Sequence, residues 1–513
     1  MKFLIITGGV ISGVGKGVAA AVSSTLLRLA GYKTRIKKFD PYFNVDPGTL
    51  NPAQHGEVYI TADGIEADLD LGHYERIGGV KTSKDDYTTM GSVICGITQK
   101  ERAGGFHGRT VQSVPDVTDA IKERFYCGVT DEDVVICEIG GTVGDIEGVP
   151  FLEAARQLKN ARFMHIPCLF KQPWINEIKT KPAQHSVNEL RKHGINPNIL
   201  ACRNDTEVDD QILAKLSRMC GIEHVHVLAN SQSLYDLPAK YQQAGLYESL
   251  IKVLELESRQ CVVPLRKEIT KQTERTIAIV GKYNTLDAYR SLEEALQHAY
   301  YHLNIKSKIV FLDSEEEWND EKYAGIIVPG GFGGRGIEGK IKAISYAIQN
   351  KIPFLGICLG MQLAVIEGLR RIGINANSVE FDSTTQEPAI CLVKRWTEGG
   401  VEKIGRSDQV GGTLRLGGQK SILTAGSRIA GIYKADSVHR RHRHRYEVNP
   451  AYQESLATAG LVVTGYSPDG LIEIIEKPDH PWFVGVQYHP EFSSLPTDPE
   501  QLILDFVQAV EGV

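Results

Sequence analysis

The chain has 513 residues, of which 42% are apolar and 23% charged, and its formal net charge is −6. This length exceeds what one hydrophobic core supports, so we expect two or more domains, and the acidic balance excludes a general electrostatic attraction to nucleic acid. The nine cysteines form no CxxC pair and no apolar run is long enough to span a bilayer, which argues against a disulfide framework or a zinc site and favours a cytoplasmic protein.

Short β-rich runs alternate with amphipathic stretches from the start of the chain. Phe3–Ile6, Val134–Ile139 and Phe163–Phe170 are predicted to be buried parallel strands, and Val18–Ala30 and Phe151–Leu158 are predicted to be helices between them. This alternation is typical of an open α/β sheet with helices on both faces.

A glycine-rich loop, TGGVISGVGKG at Thr7–Gly17, follows the first predicted strand and opens a helix. In this context backbone N–H groups can cradle phosphates, with Lys16 reaching the β and γ phosphates of a nucleotide. The match to the P-loop pattern is imperfect, because the loop is one residue longer and Gly17 stands where Ser or Thr normally binds Mg²⁺. A plain glycine turn is the alternative. If Mg²⁺ binds here, carboxylates must do more of the holding.

Acidic residues that can hold such a metal follow in two places. Asp68 and Asp70 lie in EADLDLGHYER, and Glu138 ends the strand VVICEIGG, where Walker-B-type acids lie in P-loop enzymes. Each acid taken alone is an ordinary surface or capping residue. Ligands of open α/β sheets bind at the carboxyl ends of the strands, however, and Lys16 and Glu138 would converge there. The basic run Lys179–Gln184 is either a solvated loop or a grip on a second substrate that carries phosphates.

The alternating pattern breaks near Glu257–Glu274, which is charged, contains Pro264 and has no clear period. A second α/β series starts at Thr276 with TIAIVGKY. We therefore predict an N-terminal domain over residues 1–257, a linker over 258–275 and a C-terminal domain over 276–513.

The second series contains an apolar strand that runs into G-x-C-x-G, in FLGICLG at Phe354–Gly360. Gly356 and Gly360 flank Cys358 as a nucleophile elbow requires, and a thiolate at a helix N-terminus is stabilised by the helix dipole. A buried structural cysteine is the alternative, and we expect that role for Cys137 inside its strand.

A base for this thiol is predicted about 130 residues further along the chain. The sequence YHPEF follows an apolar strand and places His489 two residues before Glu491, which can orient the imidazole. An oxyanion hole needs two N–H donors, and we predict those of Leu359 and of Gly331 in the loop VPGGFGG. The order Cys…His-x-Glu indicates nucleophilic catalysis by the thiol.

The combination PGGFG, GICLGMQ and HPEF resembles the class I glutamine amidotransferases. The segments KFDPYFNVDPGTLNPAQHGEVY, DLDLGHYER, GGTVGDIE and KTKPAQHSV are similar to those of the CTP synthase family, and the resemblance covers essentially the whole chain. It implies an α/β protein with an N-terminal P-loop sheet of the dethiobiotin-synthetase kind and a C-terminal class I glutaminase. It also implies the reaction UTP + ATP + glutamine → CTP + ADP + phosphate + glutamate in de novo pyrimidine nucleotide synthesis, through a 4-phosphorylated UTP and a cysteinyl thioester.

The resemblance also implies the roles of particular residues. The catalytic residues are Cys358, His489 and Glu491. The ATP site comprises Gly13, Val14, Gly15, Lys16, Gly17, Val18 and Asp70, and Mg²⁺ is held by Asp70 and Glu138. The site for UTP, and for CTP as inhibitor, comprises Ser12, Asp145, Ile146, Glu147, Lys179, Thr180, Lys181, Pro182, Ala183, Gln184 and Lys215. The glutamine site comprises Gly331, Leu359, Gly360, Met361, Gln362, Glu380 and Arg445. Lys38 is a candidate for a second phosphate contact.

The family further implies a homotetramer that uses GTP as an allosteric activator and binds neither nucleic acid nor a membrane. GGTLRLG at Gly411–Gly417 resembles the segment linked to GTP. The family usually reads close to ERRGDYLGKTVQVVPH where this chain has ERAGGFHGRTVQSVPD, so that His107 replaces a Leu and Asp116 a His; Ala183 also replaces a Thr and Arg440 a Glu. Seven consecutive His or Arg residues, HRRHRHR at His439–Arg445, can bind RNA, anionic lipid or metal, but inside a folded glutaminase a local electrostatic role is favoured.

Two alternative functions compete with this interpretation. One is another P-loop amidotransferase, of the cobyrinate-amidating kind, whose acceptor is a carboxylate. The other is a regulatory or filament-forming P-loop protein with an inactive glutaminase. The motifs DLDLGHYER and KTKPAQHSV argue against the first, and the intact set of Cys358, His489 and Glu491 argues against the second.

Overall fold

The computed structural model describes residues 1–172, 174, 177–204, 208–264, 269–283, 285–316, 322–393, 395–398, 401–404 and 414–513. Contacts along the chain divide it into two compact units. The first unit comprises Met1–Pro47 and Asp70–Lys267, and the second comprises Gly48–Leu69 and Glu268–Val513. The domain boundaries at residues 257 and 276 stay predictions.

Strands and helices alternate through both units. The strands are β1 (Lys2–Gly9), β2 (Thr34–Asp40), β3 (Tyr59–Ile60), β4 (Glu66–Ala67), β5 (Tyr87–Thr89), β6 (Val134–Ile139), β7 (Ala161–Pro167), β8 (Phe170–Gln172), β9 (Glu177–Lys179), β10 (Ile199–Asn204), β11 (His224–Ala229), β12 (Lys271–Gly281), β13 (Ile305–Asp313), β14 (Gly325–Val328), β15 (Phe354–Ile357), β16 (Asn377–Ser378), β17 (Pro388–Leu392), β18 (Arg395–Glu398), β19 (Val401–Ile404), β20 (Arg415–Leu423), β21 (Ser437–His444), β22 (Tyr446–Val448), β23 (Val462–Tyr466), β24 (Ile472–Glu476) and β25 (Phe483–Val486). The helices are α1 (Lys16–Leu29), α2 (Pro52–His55), α3 (Asp70–Arg76), α4 (Met90–Arg102), α5 (Thr118–Tyr126), α6 (Val149–Arg156), α7 (Lys181–Lys192), α8 (Asp210–Cys220), α9 (Leu237–Gln243), α10 (Leu246–Leu254), α11 (Arg290–Leu303), α12 (Ile337–Asn350), α13 (Leu359–Arg371), α14 (Arg428–Tyr433), α15 (Gln453–Thr458) and α16 (Gln501–Glu511).

The first unit is built on a seven-stranded sheet with the order β11-β10-β7-β1-β6-β2-β5. All its paired strands are parallel, which confirms the open parallel sheet. Apolar runs form its central strands because both faces are covered, and β6 is buried throughout. Since β6 and β7 flank β1, the loops that follow these three strands lie at one edge of the sheet.

The second unit is built on a nine-stranded sheet with the order β13-β12-β14-β15-β25-β24-β23-β20-β21. The first five strands are parallel, and the remaining strands join them in antiparallel pairs. Val328 pairs with Gly356, and Ile357 pairs with Val486. The residues that follow β14, β15 and β25 therefore meet at the carboxyl edge of this sheet, and the α/β class of the second half is confirmed.

The segment Gly48–Leu69 packs within the second unit although it lies early in the sequence. The Ser291 N–H donates to the Glu57 carboxylate at 3.0 Å, and the Gly418 N–H donates to the Ala62 carbonyl at 2.8 Å. The ring of Tyr59 lies edge-on to that of Phe492, with centroids 5.2 Å apart. Among the described residues, no helix is both long and apolar enough to cross a bilayer.

Candidate active sites

Cys358 lies in a strained turn between β15 and α13. Its φ of 52° and ψ of −105° form a conformation that non-glycine residues rarely adopt. A Cβ added at Gly356 would lie 2.8 Å from the Gly360 carbonyl carbon, and one added at Gly360 would lie 1.9 Å from the Val328 oxygen. Only glycine fits at these two positions, so the sharp turn places the thiol at the N-terminus of α13.

The imidazole of His489 lies beside this thiol. Its Nδ1 is 2.7 Å from Oε1 of Glu491. A Cβ added at Gly330 would lie 2.8 Å from Cε1 of His489 and 3.5 Å from Cβ of Cys358, so the two side chains flank the same glycine. Burial lowers the pKa of His489, but Glu491 and Cys358 outweigh this effect and raise the pKa to about 10. A protonated imidazole in this position stabilises a thiolate.

Backbone carbonyls of β21 hold both members of this pair. The Cys358 thiol donates to the Arg443 carbonyl at 3.7 Å, and the His489 N–H donates to the Arg441 carbonyl at 2.8 Å. The Gln487 side-chain amide donates to the Cys358 sulfur at 3.5 Å. The strand that contains the basic run is thus a direct support of the thiol and the imidazole.

The side chains of the basic run alternate between the two faces of β21, as a strand requires. On one face, the Arg443 guanidinium binds the Glu66 carboxylate at 2.7 Å and lies 4.8 Å from the ring of Phe332. On the other face, His442 and His444 are buried, and their ring nitrogens lie 2.9 Å apart. The run is therefore folded into the second unit, in agreement with the favoured local role.

A buried ionic cluster lies on the histidine face of β21. The Arg415 guanidinium contacts Glu447 at 2.8 Å and Glu473 at 2.7 Å. Burial, with help from the neighbouring Glu473 carboxylate, outweighs Arg415 and raises the pKa of Glu447 to about 7. Burial also outweighs Arg415 at Glu473 and raises its pKa. In the segment that resembles the GTP-linked motif, Gly411–Thr413 lie outside the described residues, and Arg415 is committed to this cluster.

A cavity of about 400 Å³ opens next to His489. Among the predicted glutamine contacts, Gly331, Glu380 and Arg445 line it. The Glu380 carboxylate accepts the Gly333 N–H at 2.7 Å, which holds the loop after β14. The other predicted contacts form the first turn of α13 and are buried, namely Leu359, Gly360, Met361 and Gln362.

Other residues of this cavity were not predicted from the sequence. Lys282 follows β12, and its Nζ donates to the Phe332 carbonyl. Gly48, Thr49 and Leu50 also line the cavity, from the segment that packs within the second unit. No local pattern indicates these residues, because they reach the cavity through contacts that are distant in sequence.

The carboxylates predicted to hold Mg²⁺ converge on one cation in the first unit. The Lys38 Nζ donates to Asp70 and, at 2.9 Å, to Glu138. The Lys16 Nζ donates to the Gly141 carbonyl at 2.7 Å, in the loop that follows β6. Two carboxylates together with substrate phosphates are the usual ligand set for Mg²⁺, so these residues fit the metal. Asp68, the other acid in that motif, belongs to the second unit.

Gly17 has a steric reason to replace Ser or Thr. A Cβ added there would lie 2.0 Å from Oδ1 of Asp70, so the carboxylate takes the place of the side chain. Burial raises the pKa of Asp70, but Lys38 and His73 outweigh this effect and lower it. Burial raises the pKa of Glu138. The two acids that bind Lys38 therefore differ in the direction of their pKa shifts.

The residues predicted for UTP and CTP lie on several segments of the first unit. Ser12, Asp145 and Glu147 are exposed, and Ile146 is 82% exposed. Lys179, Thr180, Lys181, Pro182, Ala183 and Gln184 run from β9 into α7, and Lys215 is exposed on α8. The Ala183 methyl is fully buried, and the Gln184 amide donates to the Thr180 hydroxyl at 3.0 Å. Their roles toward a nucleotide stay predictions.

Two of the departures from the family pattern have clear partners. Asp116 accepts the Gln112 N–H at 2.9 Å and binds the Arg109 guanidinium at 3.0 Å. Arg440 binds Glu500 at 3.0 Å. His107 is exposed, with a φ of 52°.

Comparisons with known proteins cover nearly the whole chain. The family "CTP synthase N-terminus" matches residues 2–256, and "Glutamine amidotransferase class-I" matches residues 284–509. The chain is 47% identical to the CTP synthase of Zymomonas mobilis and 46% identical to that of Sphingopyxis alaskensis, in each case over 99% of this chain and 98% of the other protein. A structure of the Trypanosoma brucei CTPS glutaminase domain with bound acivicin is 35% identical, with a TM-score of 0.42, and covers 46% of this chain and 94% of its own.

Proposed function

The chain belongs to the CTP synthase family, and we propose how its residues divide the work of converting UTP to CTP with nitrogen from glutamine. The enzyme catalyses this glutamine-dependent amination. A carboxylate acceptor or a purely regulatory role is not favoured, because the similarity to CTP synthases extends over 99% of the chain.

In the second unit, the residues around Cys358 support hydrolysis of glutamine through a thioester. The thiolate attacks the amide carbon, and the N–H groups of Leu359 and Gly331 receive the oxyanion. The amide nitrogen leaves as ammonia with a proton from the His489 imidazolium. The imidazole then takes a proton from water, which hydrolyses the thioester and releases glutamate.

Two charged residues of the cavity suit the α-amino acid end of glutamine. Arg445 can bind the α-carboxylate and Glu380 the α-ammonium, since both line the cavity beside His489. Burial raises the pKa of Glu380, and a bound ammonium would favour its charged form.

In the first unit, the residues around Lys38 support transfer of a phosphoryl group from ATP to the 4-oxygen of UTP. Asp70 and Glu138 would hold Mg²⁺, which supplies neutralisation of phosphate charge when bound. Lys16 follows the glycine loop and would bind ATP phosphates. Lys38 lies between the two carboxylates and would balance the charge of the transferred group. Ammonia then displaces phosphate from the pyrimidine ring, and CTP is formed.

The geometry at Cys358 carries this proposal, because a strained turn and a buried, carboxylate-oriented imidazole meet at one thiol. Cys358→Ala should abolish CTP formation with glutamine and preserve it with ammonium salts. Cys391→Ala in β17 is the control and should preserve both activities. If Cys358→Ala retains the glutamine-dependent activity, the thiol is not the nucleophile.

The remaining ligands follow from the family alone. We propose GTP as an activator, CTP as a feedback inhibitor, a homotetrameric assembly and a cytoplasmic location, with no nucleic acid or membrane as partner. The net charge of −6 and the folding of the basic run into β21 support the exclusion of nucleic acid.

A further inference from the structure

Lys340 is a buried cation behind the loop that follows β14. It lies in the first turn of α12 and is 0% exposed. A Cβ added at Gly331 would lie 3.8 Å from the Lys340 Nζ and 3.6 Å from Cδ2 of Leu359. The ammonium therefore lies beside Gly331, whose N–H is one of the two predicted oxyanion donors, and the side chain of Leu359, the other donor residue, lies beside the same glycine.

No carboxylate pairs with this ammonium among the described residues, and within that part of the chain its Nζ has no hydrogen-bond partner. A buried charge without a partner is costly, and a Met side chain of similar shape would avoid the cost. The nearby charges are Lys282 and Arg335, which disfavour the ammonium, and Asp313 and the Cys358 thiolate, which favour it. A packing role alone does not account for an amine at this position.

We propose that the Lys340 ammonium stabilises the negative charge that forms at Cys358, first on the thiolate and then on the oxyanion of the tetrahedral intermediate. It acts through the Gly330–Gly331 loop and the low dielectric of the core, without touching glutamine, so it is a positioning residue of the glutaminase. This inference rests on the proposed role of Cys358 as nucleophile.

The proposal makes the glutaminase sensitive to the protonation of a second group. Burial, with help from Lys282, lowers the pKa of Lys340 to about 7. The charge is present below this pH and is lost above it, so its support of the thiolate should decline as the pH rises through 7. The groups that face the amine are Lys282 after β12, Asp313 at the end of β13, Arg335 in the loop before α12, and Cys358.

The test compares Lys340→Met with Lys342→Met, which removes an exposed lysine two positions along the same helix. Lys340→Met should lower kcat for glutamine hydrolysis about tenfold, with a smaller change in KM. The pH midpoint for alkylation of Cys358 by iodoacetamide, followed on its peptide by mass spectrometry, should move upward by about one unit. Lys342→Met should match the unmodified enzyme.

Two further measurements separate this role from a structural one. Thermal unfolding of Lys340→Met should occur at the same or a higher temperature, because a buried charge is removed, and CTP formation from ammonium salts should be preserved. Lys340→Gln keeps a donor without the charge and should behave like Lys340→Met. An unchanged alkylation midpoint in Lys340→Met, or normal turnover in Lys340→Gln, overturns the inference. The role of Cys358 would still stand if Cys358→Ala lost only the glutamine-dependent activity.

Discussion

Replacing Gly17 by Ser would restore the residue that most P-loops have at this position, and we expect it to weaken Mg²⁺ binding by the synthetase, so that more Mg²⁺ is needed for activity. The reason is steric, because the added Cβ would lie 2.0 Å from Oδ1 and 2.3 Å from Cγ of Asp70. Real Cβ atoms do not approach other atoms so closely, so the carboxylate must move. Any movement of Asp70 alters its contact with Lys38, which also binds Glu138.

The magnitude follows from the cost of forcing atoms into a packed site. Overpacking costs about 1–3 kcal/mol. If the binding free energy of Mg²⁺ becomes less favourable by that amount, the apparent Mg²⁺ affinity falls by roughly 5- to 150-fold. UTP-dependent release of phosphate from ATP, measured against Mg²⁺ concentration with ammonium salts, reports this change. Glutamine hydrolysis at Cys358 should keep its kcat, since the substitution lies in the first unit.

A matched control exists in the same unit. An added Cβ at Gly96 in α4 would meet nothing within 4 Å, and Gly96→Ala should be neutral or slightly stabilising. If Gly17→Ser bound Mg²⁺ and turned over ATP like Gly96→Ala, Asp70 would not be a metal ligand held in place by the glycine. The reasoning about this site would then be wrong.

Three further predictions concern the second unit. Glu491→Gln should lower kcat for glutamine hydrolysis at least tenfold. It should also move the alkaline limb of the pH profile of kcat to lower pH, because the Glu491 carboxylate helps to raise the pKa of His489 to about 10. An alkaline limb at the same pH in the variant would contradict this. Arg415→Met should lower the free energy of unfolding, measured with urea, by about 3–5 kcal/mol, since Glu447 and Glu473 would lose the cation that they share. A decrease below about 1 kcal/mol would argue against the ionic cluster. The pKa of Glu447 is raised to about 7 in the folded state, so its contribution to stability should fall as the pH rises from about 4.5 to 7, and Glu447→Gln should flatten that slope in urea unfolding.

Local motifs predicted the parts of the sites that lie within a few residues of one another. Cys358 was predicted at a tight turn because glycines two residues away on either side allow it, and the structure has that turn. His489 and Glu491 were predicted as a pair because they are two residues apart, and they are in contact. The parallel sheet of the first unit followed from buried apolar runs, and it is confirmed.

Contacts between distant segments were beyond the reach of the sequence. Nothing in the residues around Gly48–Leu69 indicates that this segment lines the cavity beside His489. Arg443 binds Glu66 and lies over the ring of Phe332. These three residues come from three separate parts of the chain. The departure from the P-loop pattern at Gly17 is visible in the sequence, but its cause is not. The cause is that the Asp70 carboxylate fills the space that a side chain at position 17 would need.

The two sites also differ in the sign of their buried charge, and this difference matches their chemistry. Around Lys38 in the first unit, the carboxylates Asp40, Asp70 and Glu138 outnumber the neighbouring lysines Lys16 and Lys38 within the described part of the chain, an arrangement suited to Mg²⁺. Around Lys340 in the second unit, Lys282 and Arg335 add to its charge and, of the described residues, the carboxylate of Asp313 opposes it, which leaves a positive excess suited to a thiolate and an oxyanion. Each excess is a sum over several segments of the chain. A motif can therefore name the nucleophile or the phosphate loop, but the charge that tunes it is set by the fold.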